Sequence, residues 1–168
     1  LNYFSDQCEL SAADVKTAFL NTRTTKRRYF HLPIGHTKRK GRSLVWEANC
    51  ALYGMQEASY IWFLALVKFL LGIGLVQCTK ENCLFIKKDD KGTLILAVLI
   101  YVDDLLYTGK YETMRKFEVL LGKKFIIKKT STVTNFIGIQ FKQEKNIIKL
   151  HQEVFINEAI KKFELEDA

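Results

Sequence analysis

Proline is nearly missing from this chain: Pro33 is the only one in 168 residues. No internal repeat and no low-complexity linker interrupts the sequence either, so nothing divides it into independent domains. Cysteine occurs four times, as Cys8, Cys50, Cys78 and Cys83, and never as a Cys-x-x-Cys pair. That spacing offers neither a zinc site nor a disulfide framework, and ordinary thiols suit a reducing compartment. His31, His36 and His151 are scattered along the chain and read as structural or solvent-facing. The apolar run from Leu94 to Val102 has nine residues, about half of a membrane span, and no signal peptide opens the chain. These absences predict a soluble intracellular protein without a membrane partner.

What is abundant is positive charge and apolar bulk. The 26 Lys and Arg against 18 Asp and Glu leave a net +8, and 48% of residues are hydrophobic, enough for one buried core. Much of the excess is local, in Arg23, Lys26, Arg27 and Arg28 and again in Lys38, Arg39, Lys40 and Arg42 around Gly41. Such runs commonly decorate a solvated face, but they also supply the cationic track that a nucleic-acid backbone needs. Tyr29, Phe30 and Trp46 are interleaved with them and suit either stacking on unpaired bases or core packing.

The most informative residues are Tyr101-Val102-Asp103-Asp104. They end the Leu94 to Val102 run, and the apolar Leu105 to Tyr107 follows at once. An isolated carboxylate in such a core costs several kcal/mol unless a cation or hydrogen bonds compensate it. Gly92 before the run and Gly109 after it frame a hairpin whose tip is the acidic pair. A turn relaxes the alternation that would otherwise point neighbouring side chains to opposite faces. Asp also suits turns that carry no function. Upstream, Asp14 opens Asp14-Val15-Lys16-Thr17-Ala18-Phe19-Leu20-Asn21, in which Val15, Thr17 and Phe19 alternate with smaller or polar neighbours, so that Asp14 can begin or end a strand beside that hairpin. Three carboxylates brought together select hard cations, Mg²⁺ or Mn²⁺, and two such ions roughly 3.5–4 Å apart support phosphoryl transfer.

The remaining elements follow from period and punctuation. Trp62, Leu66, Phe69 and Leu70 predict a helix over Ala58 to Leu71, ended by Gly72 and Gly74. Strands are expected over Cys83 to Lys87 and Thr93 to Tyr101 around an Asp89 to Gly92 turn. A second helix carries Met114, Phe117 and Leu121, and Phe125 to Lys128 returns as a strand. Asn135 to Lys142 should pair with Asn146 to Leu150 around Glu144-Lys145, and Phe155, Ile156, Ala159, Ile160 and Phe163 stripe a last helix. The loop-like stretch is His31 to Arg42. The sum is an α+β fold with helices on one face of a sheet.

Five landmarks in one order, Asp14 to Asn21, Ala51-Leu52-Tyr53-Gly54, Trp62, Tyr101 to Leu106 and Phe136-Ile137-Gly138-Ile139, resemble the reverse transcriptase domain of Ty1/copia-type retrotransposon Pol polyproteins over nearly the whole chain. The resemblance implies a single domain, a polymerase palm (a ferredoxin-like antiparallel sheet, residues 1–21 and 51–168) with partial fingers at 22–50. It implies an RNA-directed DNA polymerase that joins a primer 3′-hydroxyl to a deoxynucleotide with two Mg²⁺ or Mn²⁺ ions. Asp14, Asp103 and Asp104 would be metal ligands and catalytic, and the Val15 carbonyl a further oxygen. Phe19 falls at the sugar gate that favours dNTPs, or is a core aromatic; Tyr53 and Gly54 would lie under the incoming nucleotide; Phe136 to Ile139 would hold the primer terminus. Implied partners are an RNA or DNA template with its primer and the integrase and RNase H regions of a polyprotein, in a cytoplasmic virus-like particle or the nucleus. More fingers upstream of Leu1, and thumb, connection and RNase H regions downstream, would complete such an enzyme.

Departures from the family pattern are concentrated after Gly54. Met55-Gln56-Glu57-Ala58-Ser59-Tyr60-Ile61-Trp62 stands where Leu-Lys-Gln-Ser-Pro-Arg-Ala-Trp is usual, removing two cations and adding Glu57, which should weaken anion binding. Thr22 and a basic run follow Asn21 where Gly and acidic residues are usual. The alternative reading is therefore a catalytically decayed or co-opted relic that binds nucleic acid without making phosphodiesters. Another two-metal palm enzyme, such as a nucleotide cyclase, is a third.

Overall fold

A computed structural model of the chain describes residues 10–24, 26–33, 35–36, 44–144 and 147–165. Cys8, the basic cluster Lys38, Arg39, Lys40 and Arg42 with Gly41, and Lys145 of the last turn lie outside the described residues. The strands are β1 (Leu10–Val15), β2 (Tyr29–His31), β3 (Val45–Glu47), β4 (Val76–Gln77), β5 (Leu84–Lys88), β6 (Leu94–Tyr101), β7 (Asp104–Gly109), β8 (Ile127–Thr130), β9 (Asn135–Phe136), β10 (Ile139–Glu144) and β11 (Ile147–His151). Among the described residues there are also three α-helices, α1 (Ala58–Gly72), α2 (Tyr111–Lys124) and α3 (Glu153–Lys162), and a 3₁₀ turn at Ala18–Asn21.

β4-β5-β6-β7-β1-β8 form one six-stranded sheet in which every neighbouring pair is antiparallel. The long β6 run meets its partner β7 through the two-residue connection Val102-Asp103, and β1 inserts on the far side of β7. Alternation then sorts the side chains. Ala13 and Val15 of β1, Leu96, Val98 and Ile100 of β6, and Leu105 and Tyr107 of β7 face Trp62, Leu66 and Leu70 of α1 and Met114, Phe117 and Leu121 of α2 in one buried cluster. The expectation of helices on one face holds for α1 and α2. Leu10, Val133 and Phe136 make a smaller core on the opposite face, where Ala12, Leu99, Leu106 and Phe141 join them. That cluster seats the three-stranded β9-β10-β11 sheet.

Three details correct the sequence reading. The alternation of Val15, Thr17 and Phe19 does not continue the first strand: Thr17 turns left-handed at φ 50, and Ala18–Asn21 form a short 3₁₀ turn. The Asn21 amide causes this by donating to the carbonyls of Lys16, Thr17 and Ala18 at 3.0–3.3 Å. The expected strand from Asn135 to Lys142 is broken by a turn at Ile137 and Gly138, φ 51 and 74. The strand expected from Phe125 instead starts at Ile127, because Phe125 is buried against Trp62 and Phe69 where α2 ends. The α3 stripe forms as a helix, yet none of its residues is buried.

Candidate active site

The acidic residues sit where β1 ends and the β6-β7 hairpin turns. β1 carries Asp14 as its penultimate residue, on the face away from the helices, and Asp104 opens β7 directly opposite it. The Val15 amide donates to the Asp103 carbonyl at 2.9 Å. This makes Val15 and Asp103 a hydrogen-bonded pair, so Asp14 and Asp104 occupy the adjoining non-hydrogen-bonded position, where Cα atoms approach to about 4.5 Å and side chains are closest. Asp103 lies on the turn itself, after Val102, which adopts φ 54. A positive φ at the first central residue is the pattern of a type II′ hairpin, normally filled by glycine; a β-branched residue there is strained.

Burial pushes the Asp104 carboxyl above its ordinary range, and the charges of Asp103 and Asp14 push it in the same direction. Asp104 thus lies within the field of both other acids. As placed, no three His, Cys, Asp or Glu side chains among the described residues close into a metal cage. The donor set is nonetheless all oxygen, and Asp104, crowded by two like charges, has the electrostatic need that a hard divalent cation answers.

A cleft of about 340 Å³ opens beside the acids. Its floor is Ala12, Asp14 and Asp104; Lys128 and Thr130 of β8 and the Val133 to Ile137 segment wall it. Lys128 is paired with Asp14 in the sheet register and forms no ion pair among the described residues. Sequence reading gave Lys128 no role; its place follows only from the β1-β8 pairing.

The other sequence-selected residues Phe19, Tyr53 and Gly54 are not among those that line this cleft. Phe19, half-buried at the 3₁₀ turn, lies with its ring centroid 4.5 Å from that of Tyr53, which is exposed. Gly54 has φ 91, so its glycine is required by backbone conformation; nothing stands within 4 Å of a Cβ there. Glu57, expected to oppose anions, is engaged: Arg28 donates from Nε at 2.8 Å and Nη2 at 2.6 Å to one carboxylate oxygen. That guanidinium holds the Glu57 carboxyl below its usual range. The β2-β3 hairpin leaves Tyr29, Phe30 and Trp46 exposed. Stacking remains open to them, and core packing does not.

Trp62, a sequence landmark without an assigned role, reaches the site from behind. Its buried indole donates from Nε1 to the Val102 carbonyl at 2.6 Å.

Sequence comparison supplies the family. The family described as reverse transcriptase (RNA-dependent DNA polymerase) matches residues 4–168, and the chain belongs to that family. Within it, the relatives are Ty1/copia-type Pol polyproteins. The chain is 27% identical over 95% of its length to the Retrovirus-related Pol polyprotein from transposon TNT 1-94 of Nicotiana tabacum. It is 31% identical over 85% of its length to the corresponding polyprotein from transposon RE1 of Arabidopsis thaliana. A putative transposon Ty5-1 protein of Saccharomyces cerevisiae is 29% identical over 79% of the chain. The chain spans 12% of the tobacco polyprotein, 10% of the Arabidopsis one and 43% of the yeast protein.

Proposed function

We propose that this chain is the palm, with part of the fingers, of an RNA-directed DNA polymerase. It would join a primer 3′-hydroxyl to the α-phosphate of a dNTP, with Asp14, Asp103 and Asp104 holding two Mg²⁺ or Mn²⁺ ions. The observation that carries this reading is the side-by-side pairing of Asp14 with Asp104, one residue from the hairpin tip that presents Asp103. The order β1-α1-β6-β7-α2-β8, with sheet neighbours β6-β7-β1-β8, is the ferredoxin-like split βαβ arrangement and supports the palm.

Bound ions would lower the barrier by neutralising charge on the transferring phosphoryl group and the leaving pyrophosphate. The chain's own residues do the remainder. The cleft beside Asp14 and Asp104 accepts the primer terminus along Phe136 and Ile137, and Lys128 offers a cation to its phosphates. Phe19, braced by Tyr53, stands at the sugar position. Arg23, Lys26 and Arg27, with the β2-β3 aromatics, take the template, and the integrase and RNase H regions of a polyprotein are the partners in a cytoplasmic particle or the nucleus. Primer extension on a defined template, dependent on Mg²⁺, tests the reading; absence of incorporation by the chain joined to its flanking polyprotein regions overturns it. Gln56 and Tyr60, where the family carries cations, favour a second reading as a nucleic-acid-binding relic, which predicts salt-dependent binding without incorporation.

A further inference from the structure

Asp103 is the one acid of the three that lies off the strands, on a turn, and its position depends on the two peptide planes flanking it. The plane after it is fixed from β1, through the Val15 amide on the Asp103 carbonyl at 2.9 Å. The plane before it belongs to Val102, whose φ of 54 is strained for a β-branched side chain. Among the described residues that plane is held by one side-chain hydrogen bond, from the Trp62 indole N–H to the Val102 carbonyl at 2.6 Å. Trp62 itself has no freedom: it is 1% exposed, edge-on to Phe125 with ring centroids 5.2 Å apart. A buried donor on α1 thus reaches the hairpin-tip carbonyl that precedes Asp103.

We infer that Trp62 is a positioning residue for the metal site: its indole N–H locks the Val102–Asp103 peptide plane and so aims the Asp103 carboxylate at the ion shared with Asp14. The inference rests on the proposed metal site. It separates two properties that a core tryptophan normally combines. The ring contributes packing; the N–H contributes the orientation of Asp103. Groups that orient a metal ligand commonly change metal affinity or activity by about 10–100-fold when removed.

Mn²⁺ binding to the protein, followed by the EPR signal of the free ion, reads this without turnover. Trp62→Phe keeps an aromatic ring and removes the donor, and is expected to weaken Mn²⁺ binding about tenfold and to lower the incorporation rate by a similar factor. Phe69→Leu disturbs the same aromatic cluster through Phe125, leaving the Trp62–Phe125 contact and the N–H in place, and is expected to lower the melting temperature while leaving Mn²⁺ affinity as in the wild type. Wild-type Mn²⁺ affinity in Trp62→Phe overturns the inference, as does an equal loss in Phe69→Leu. If Trp62→Phe does not fold, benzothienylalanine at position 62, which keeps the bicyclic shape and replaces the N–H by sulfur, carries the same comparison. Asp103→Asn separates the two levels. If it too leaves Mn²⁺ binding unchanged, the metal-site reading fails and the inference with it; if Asp103→Asn weakens binding and Trp62→Phe does not, the positioning role alone fails.

Discussion

Val15 and Asp103 share a backbone hydrogen bond of 2.9 Å, and that bond sets the register in which the acid before Val15 meets the acid after Asp103. The site is therefore written into a strand pairing rather than into a flexible loop, and an isosteric change at one acid should disturb chemistry without disturbing the fold. Asp103→Asn is expected to lower primer extension by about a thousandfold or more, the equivalent of the several kcal/mol a metal contributes. Oligonucleotide affinity should stay within about twofold, because phosphate contacts made by Lys and Arg carry binding. Gel-based extension and fluorescence anisotropy on the same preparations decide it; equal extension by both proteins refutes the metal role of Asp103.

The raised Asp104 carboxyl makes a separate prediction about stability. A carboxyl whose folded-state pKa lies above its unfolded value holds its proton more tightly when folded, so metal-free stability falls as pH rises from the ordinary aspartate range through the raised folded value. Burial is the first cause, and the Asp103 and Asp14 charges add to it. Above that window the ionised group opposes folding. Asp104→Asn should therefore raise the melting temperature of the metal-free protein at neutral pH, while Mg²⁺ should raise it more in the wild type than in the variant. Calorimetry with EDTA and with Mg²⁺ measures both; a variant that melts lower than wild type in EDTA contradicts the sign.

Sequence pattern revealed the parts of the fold governed by short-range periodicity. The apolar run before Asp103, the helix repeat of Trp62, Leu66 and Leu70, and the Asp89 to Gly92 turn all appear where period and punctuation place them. Asp14 was legible as a strand end. The turn after it was not, because it depends on one amide, that of Asn21, outcompeting strand pairing for the carbonyls of Lys16 to Ala18. Nor did Ile137 signal a left-handed turn, since a β-branched residue there goes against its own preference. Trp62 to Val102 and Arg28 to Glu57 join residues 40 and 29 apart in sequence, so no local pattern encodes them. α3 shows the converse: its stripe was legible, but none of its residues is buried.

Gly109 illustrates a close approach that only the sheet makes necessary. A Cβ at this position would lie 2.4 Å from the Ile95 carbonyl oxygen and 2.9 Å from the Leu96 Cα, both backbone atoms that cannot move aside cheaply. Its φ is not in the left-handed region, so space rather than torsion demands glycine. Gly109→Ala should force β6 and β7 apart near the start of α2 and cost about 1–3 kcal/mol, as overpacking typically does. Urea unfolding reads the loss. A midpoint equal to wild type would show that the strands separate freely and that the hairpin is less tightly paired than its register indicates.

Arg28 and Glu57 make the last prediction, because their pairing changes what the basic run can do. Both Nε and Nη2 of Arg28 are spent on one Glu57 oxygen, tying the β2-β3 region to the start of α1. The pair is exposed, so its loss should leave the melting temperature nearly unchanged. Its effect should appear in binding instead. Glu57→Gln frees a guanidinium for phosphate and is expected to steepen the salt dependence of single-stranded oligonucleotide binding by about one unit of slope. Arg28→Gln alone should change the slope little, since the wild-type side chain is already engaged, whereas in the Glu57→Gln background it should remove the whole gain. Anisotropy titrations at several salt concentrations measure all four proteins. A large effect of Arg28→Gln in the wild type would mean that Arg28 leaves Glu57 when nucleic acid arrives, and the cationic track would then include it from the outset.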